Sequence, residues 1–326
     1  MKRPTQLVPL FAFLLAAACG SSEEEPAGAS DDEDLREVKC EALPTSWMRT
    51  WRTPADDGRV QLRVGEARPA GTPIGDVLFF HGFSDRFDNH RPLFEEWTRR
   101  GFRVVSFEYP SHGETCGRNL AAYLYPSLAR FAVQVEKETA EDPRRPLLLA
   151  GWSMGGLLAT RIVQGLGDPL SRPVAGAMLL TPGVDVHVFL KEVSETTLTR
   201  NPSPPHTGPI KPKRPAIFPI ALNLLYHADQ ARDAALPGSL PVLTVVGGDA
   251  EDVYAKSPGL RSWVLKKRGE GANIVGLGCA GGYHEIDNEP LPMGSQVREE
   301  LGRFAESVVK KTSYAAPARQ VPCGAF

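Results

Sequence analysis

Basic residues are nowhere concentrated in this chain of 326 residues, whose 37 Lys and Arg against 39 Asp and Glu leave a net charge of −2. The one short run, Lys211 to Arg214, is interrupted by Pro212 and reads as an exposed loop, so nucleic acid is not an expected partner. Apolar runs of membrane-spanning length are also missing near the start, where the stretch from Leu7 to Ala18 is broken by Pro9 and falls short of the roughly 20 residues a spanning helix needs. Cysteine is scarce, five in all with no metal-type spacing among them, which removes the usual zinc frameworks. No internal repeat is visible, which speaks against a solenoid. What remains is ordinary globular composition, 42% hydrophobic and 23% charged, with enough length to bury a deep site.

Lys2 and Arg3, the apolar run, and three alanines before Cys19 read as a signal peptide over residues 1–18. The stretch Leu15-Ala16-Ala17-Ala18-Cys19-Gly20 resembles the bacterial lipobox, which implies lipidation of Cys19 and a membrane anchor in the bacterial cell envelope. The alternative is an ordinary secretory signal cut near the same alanines, giving a secreted protein. Residues 19–38 follow as the lipidated cysteine and a flexible acidic tether. From Gly20 to Glu37 it holds eight acids and one base and little apolar surface to offset the entropy of ordering.

Export permits Cys40, Cys116, Cys279 and Cys323 to pair in three ways. Because Cys40 and Cys323 flank the folded region, the preferred pairing is Cys40–Cys323 with Cys116–Cys279.

Short apolar runs recur at Val77–Phe80, Val104–Phe107, Leu147–Ala150, Ala177–Leu180, Val242–Val246 and Ile274–Leu277, bounded by Gly and Pro. Such runs suit strands buried on both faces. Helical patterns at Arg91–Arg100, Ser127–Glu138 and Leu157–Gln164 lie between them, and Asp57-Gly58 inside Trp51–Val64 marks an edge hairpin. The expected fold class is α/β, a mostly parallel sheet with helices on both faces. About sixty residues between the sixth and seventh core strands, Gly183 to Leu240, break the rhythm and are read as a cap, with a proline-rich Asn201–Pro219 between helical flanks Val184–Leu198 and Ile220–Ala235. The resulting organisation is a core over 39–183, a cap over 184–240, the core again over 241–312, and a C-terminal tail 313–326.

After the run Leu147–Ala150 comes Gly151-Trp152-Ser153-Met154-Gly155, then an apolar helical pattern. This is the G-x-S-x-G elbow in its required strand-to-helix context, where glycines let strand and helix cross beneath a strained serine. The helix beyond Ser153 aims its unpaired N–H groups at the place where negative charge develops in acyl transfer. His81-Gly82-Phe83 follows a central strand where a second donor belongs, so the backbone N–H groups of Phe83 and Met154 are the expected oxyanion hole. His81 is read as structural. Of the seven histidines only His284 follows a late strand near the C-terminus; His90, His187, His206 and His227 fall in loops or the cap, and His112 in a glycine turn. His284 is therefore the expected general base for Ser153. The carboxylate belongs in the loop after Val242–Val246. Asp249 ranks first, nearest the strand and of the commoner acid type, with Glu251 and Asp252 as alternatives.

Together His81-Gly82-Phe83-Ser84-Asp85, Tyr109-Pro110-Ser111-His112-Gly113-Glu114-Thr115, the elbow with Gly156, and Tyr283-His284-Glu285-Ile286-Asp287-Asn288-Glu289 resemble the lysophospholipase and monoacylglycerol-lipase branch of the α/β-hydrolase superfamily, which includes serine aminopeptidase relatives. The resemblance covers roughly Trp51 to Lys311 and departs at Glu108, where aspartate is usual. It implies a cap lining an acyl pocket and ester hydrolysis through an acyl-enzyme, with lipid or small-molecule esters as substrates. No metal or organic cofactor is expected. A serine peptidase or short-chain carboxylesterase is the nearest alternative, and a catalytically silent surface lipoprotein the alternative from another class.

Overall fold

The computed structural model describes residues 37–123, 125–186, 214–318 and 322–326, with backbone only for 214–219. The expected signal peptide, Cys19, nearly all of the tether, His187, His206 and most of the Val184–Leu198 flank lie outside the described residues. The described residues all belong to one compact unit.

The chain enters the sheet as a hairpin, β1 (Arg49–Ala55) against β2 (Val60–Ala67). Its turn needs three left-handed residues, Asp56, Asp57 and Gly58, at φ of 49°, 53° and 83°, and Asp and Gly tolerate that region best. The parallel strands follow: β3 (Gly75–Phe80), β4 (Phe102–Phe107), β6 (Leu147–Trp152), β7 (Val174–Leu180), β8 (Val242–Val246) and β9 (Ile274–Cys279). The short β5 (Cys116–Gly117) pairs with β2, and β10 (Cys323–Ala325) pairs antiparallel with β9. The sheet order is β1-β2-β4-β3-β6-β7-β8-β9-β10.

The strands read as continuous apolar runs because both faces are covered. In β3, Leu78 and Phe80 enter one core and Val77 and Phe79 the other; in β6, Leu147 and Leu149 oppose Leu148, Ala150 and Trp152 in the same way. Helices α1 (Arg91–Arg99) and α6 (Met293–Lys310) close one face through Leu93, Phe94, Trp97, Leu301 and Phe304. Helices α2 (Tyr125–Thr139), α3 (Met154–Val163) and α5 (Ser257–Gly269) close the other. Removing one such fully buried side chain forfeits about 1.5–3 kcal/mol of burial.

Three expectations change. The helix at the second flank of the expected cap, α4 (Arg214–Asp233), starts earlier than the Ile220–Ala235 pattern implied, taking in Arg214 and the last residues of the proline-rich stretch. It is held by burial: Leu224, Ala228 and Ala231 join the core beside α3, and Arg161 Nη1 donates to the His227 carbonyl at 3.1 Å. The supposed C-terminal tail ends as β10, an edge strand of the sheet.

The disulfides are Cys40–Cys116 and Cys279–Cys323, not the Cys40–Cys323 and Cys116–Cys279 pairing expected. Chain ends that flank a domain in sequence here sit at opposite edges of its sheet. A bridge between Val38 and Gly117 sets Cys40 beside β5, whereas β10 places Cys323 directly opposite Cys279. Opening the Cys279–Cys323 link by a Cys279→Ser, Cys323→Ser double substitution releases a closure over 44 residues and is expected to lower unfolding free energy by about 2–4 kcal/mol. Urea titration of oxidised wild type against the double variant measures it.

Candidate active site

Loops leave the C-terminal ends of the adjacent parallel strands β4, β3, β6, β7, β8 and β9, so their side chains meet at one rim of the sheet. Direct pairing of β3 with β6 sets the loop after Phe80 beside the elbow, and pairing of β8 with β9 sets the Gly247–Asp252 loop beside that carrying His284.

Ser153 sits between β6 and α3 with φ 53° and ψ −116°, a conformation that costs a non-glycine residue about 1–3 kcal/mol. Hydrogen bonds on both sides hold it there: its N–H donates to Leu180 O at 3.0 Å, and its carbonyl accepts from Gly183 N at 2.8 Å and Leu157 N at 3.0 Å. The elbow glycines are required by contact. A Cβ on Gly151 would lie 2.3 Å from the Gly155 carbonyl oxygen, and one on Gly155 would lie 2.1 Å from that of Phe80.

Ser153 Oγ lies 2.7 Å from His284 Nε2, and His284 Nδ1 lies 2.9 Å from Asp252 Oδ1. An imidazole facing a carboxylate at Nδ1 keeps its proton there, leaving Nε2 to accept from the serine hydroxyl. All three residues are buried. The His284 backbone is fixed too, its carbonyl accepting from Trp152 Nε1 at 2.8 Å and Thr181 Oγ1 at 2.7 Å.

Asp252 meets the imidazole, whereas the sequence ranking put Asp249 first and Glu251 second. The reason is a single turn: Asp252 N donates to Gly248 O at 3.2 Å, which lifts Asp249 to the surface and returns Asp252 beneath it. Asp249 is exposed and ion-paired with Arg261, and Glu251 is half-buried beside Gly248. Asp252 Oδ1 also accepts from the N–H groups of Tyr254 and Ala255 at 3.1 and 2.9 Å, which fixes its carboxylate. Counting residues from a glycine does not reveal this, since the turn geometry alone decides which acid faces inward.

Met154 is the first residue of α3, where N–H groups have no partner within their own helix. Phe83 lies in a loop pinned on both sides, with Gly82 N donating to Asp85 Oδ2 at 3.3 Å and Ser84 N donating to His112 Nε2 at 3.1 Å. His81 is a brace, as read from the sequence: its Nδ1 faces Gly82 O at 2.8 Å and its Nε2 accepts from Tyr109 N at 3.2 Å. Glu108 anchors the next loop, with Oε1 2.7 Å from Arg63 Nη1 and Oε2 accepting from Glu114 N at 2.6 Å. Helix α4 reaches the elbow through the His227 ring on Tyr125, whose hydroxyl donates to Met154 O at 3.2 Å.

His81 and His112 accept backbone N–H groups only while neutral. Burial pushes their imidazoles down to about 3 and about 4 from 6.5. A base whose pKa falls on folding contributes stability that is complete above about 6.5 and lost as pH drops through the folded value. The thermal midpoint is therefore expected to decline steadily from pH 6.5 to 4, with a shallower decline in His112→Gln, as followed by scanning fluorimetry across that range.

His90, read as a loop histidine, is instead fully buried between two carboxylates beside this rim. Its sequence surroundings carry no periodic or motif signal for that role, because one of its partners is 197 residues away.

The sequence pattern of the Alpha/beta hydrolase family matches residues 77–302. Phospholipase YtpA of Bacillus subtilis (strain 168) is 26% identical over 120 residues, 36% of this chain and 44% of that protein, so the match spans less than half of the relative's length. Among solved structures, a soluble variant of monoglyceride lipase from Saccharomyces cerevisiae is similar at TM-score 0.65 and 14% identity, over 81% of this chain and 97% of that one. A monoacylglycerol lipase from Paleococcus ferrophilus is similar at TM-score 0.59 and 20% identity, over 76% and 99%. These structural likenesses speak to the fold, and with the family pattern spanning more than two thirds of the sequence, the chain belongs to the alpha/beta hydrolase family.

Proposed function

We propose that this protein is a serine hydrolase that cleaves carboxylic esters through an acyl-enzyme. The observation that carries the reading is the unbroken chain of contacts from Ser153 Oγ to His284 to Asp252, 2.7 and 2.9 Å long. Ser153 Oγ attacks the ester carbonyl as His284 Nε2 takes its proton; the N–H groups of Phe83 and Met154 hold the oxyanion. Collapse of the tetrahedral intermediate expels the alcohol, protonated by His284, and leaves an acyl-serine. Water, deprotonated by His284, then releases the acid and restores the serine. Asp252 stabilises the imidazolium formed in each half.

Lysophospholipids, monoacylglycerols and similar acyl esters are the proposed substrates. The phospholipase relative and the monoglyceride-lipase likeness support that class, as does the partly apolar cap helix. The N-terminal pattern supports export and lipidation of Cys19, which would hold the domain at a bacterial envelope membrane. Among the described residues no helix is long and apolar enough to cross a membrane.

Labelling with a fluorophosphonate probe tests the nucleophile, with the label expected on wild type and absent from Ser153→Ala. A series of p-nitrophenyl and glycerol esters of increasing chain length, run beside aminoacyl amides, tests the substrate class; preference for the amides would overturn it.

A further inference from the structure

Behind the proposed serine, histidine and aspartate lies a second buried polar cluster that the mechanism above does not use. The His90 Nε2 is 2.9 Å from Asp85 Oδ2 and its Nδ1 is 2.8 Å from Asp287 Oδ2. Asp85 belongs to the loop after β3, where the same oxygen accepts the Gly82 N–H at 3.3 Å, one residue before Phe83. Asp287 belongs to the loop that carries His284. A parallel tie joins the same two segments, since Asn288 Nδ2 donates to Asn89 O at 2.9 Å.

The third contact is with the elbow. The His90 ring lies 5.5 Å from the Trp152 ring, which precedes Ser153 and whose Nε1 donates to the His284 carbonyl. Trp152 also fills the space over Gly82, where a Cβ would come within 2.4 Å of the indole. One imidazole thus touches the supports of all three functional loops.

We propose that His90 is a positioning residue that clasps the Gly82–Asp85 loop to the His284 loop across the face of Trp152, setting the oxyanion donors and the general base in register.

Asp85, His90 and Glu285 place donor atoms within 4.8 Å of one another, a grouping that elsewhere binds a cation. Here both His90 nitrogens face carboxylates, which leaves the ring no lone pair for a metal and makes it a donor on both sides. Burial alone would lower its pKa, but the Asp287 and Asp85 carboxylates outweigh that and raise it well above 6.5. A charged ring bonded to carboxylates from two different loops resists the loops drifting apart, and a shift of about 1 Å between reacting groups costs on the order of 10²-fold in rate.

The inference rests on the serine-hydrolase reading. The test is turnover of p-nitrophenyl butyrate by full-length wild type, His90→Gln, Asp287→Asn and the double variant, with active sites counted by fluorophosphonate titration. Each single substitution is expected to lower kcat per titrated site by about 10- to 100-fold with KM within twofold. The double variant should be no slower than the slower single, because Asp287 acts through His90. Unchanged kcat per site with only a lowered melting temperature, or losses that multiply in the double variant, would overturn the clasp. If His90→Gln does not fold, Asp287→Asn decides alone, and wild-type kcat per site in it rejects the proposal. A wild type that neither labels nor hydrolyses would instead overturn the hydrolase reading itself.

Discussion

His284→Ala is expected to lower kcat for an ester substrate by about 10⁶-fold, and Ser153→Ala by a similar factor, with the double variant hardly worse than either. The two side chains act as one unit across a 2.7 Å contact, so removing one leaves the other without a task. What survives is the oxyanion hole and substrate binding, worth roughly 10³–10⁴ over water. The fold is expected to persist, because the His284 loop is held by side-chain hydrogen bonds from Trp152 and Thr181 to the His284 carbonyl rather than by the imidazole. Steady-state kinetics of the three variants, with circular dichroism as the control for folding, make the check. Activity within tenfold of wild type in His284→Ala would end the assignment.

Asp252→Asn is expected to cost about 10⁴-fold in kcat, whereas Asp249→Asn should leave turnover within about twofold of wild type. The amide introduced in place of the Asp252 carboxylate would keep the size of the group but not its charge. It would donate toward Nδ1, push the ring proton to Nε2, and so block Ser153 from giving its own proton. Asp249 lies at the surface, engaged with Arg261, and exposed ion pairs of that kind contribute about 0–1 kcal/mol. Measured side by side, the two substitutions separate the buried acid from the exposed one; the reverse ranking would refute the arrangement around His284.

The strands were legible because each is buried on both faces, which forces a continuous apolar run at Val77–Phe80, Leu147–Ala150 and their neighbours. The hairpin at Asp57-Gly58 and the elbow at Ser153 were legible for a related reason, since left-handed or crowded backbone demands particular residues at fixed offsets. The extent of α4 was hidden by its prolines, a local cost that packing against α3 overrides. The cysteine pairing was hidden because it depends on which edges β5 and β10 occupy.

The sequence by itself determined the alternation of strands and helices, the strained serine and the late-strand histidine, since these follow from burial and backbone sterics within a few residues. Only the tertiary structure decided that Asp252 turns inward and Asp249 outward, which cysteines meet, and that His90 lies between Asp85 and Asp287. Each of those outcomes rests on directional contacts of a few ångströms between groups brought together by a turn or by distant strands, and such contacts leave no periodic trace along the chain.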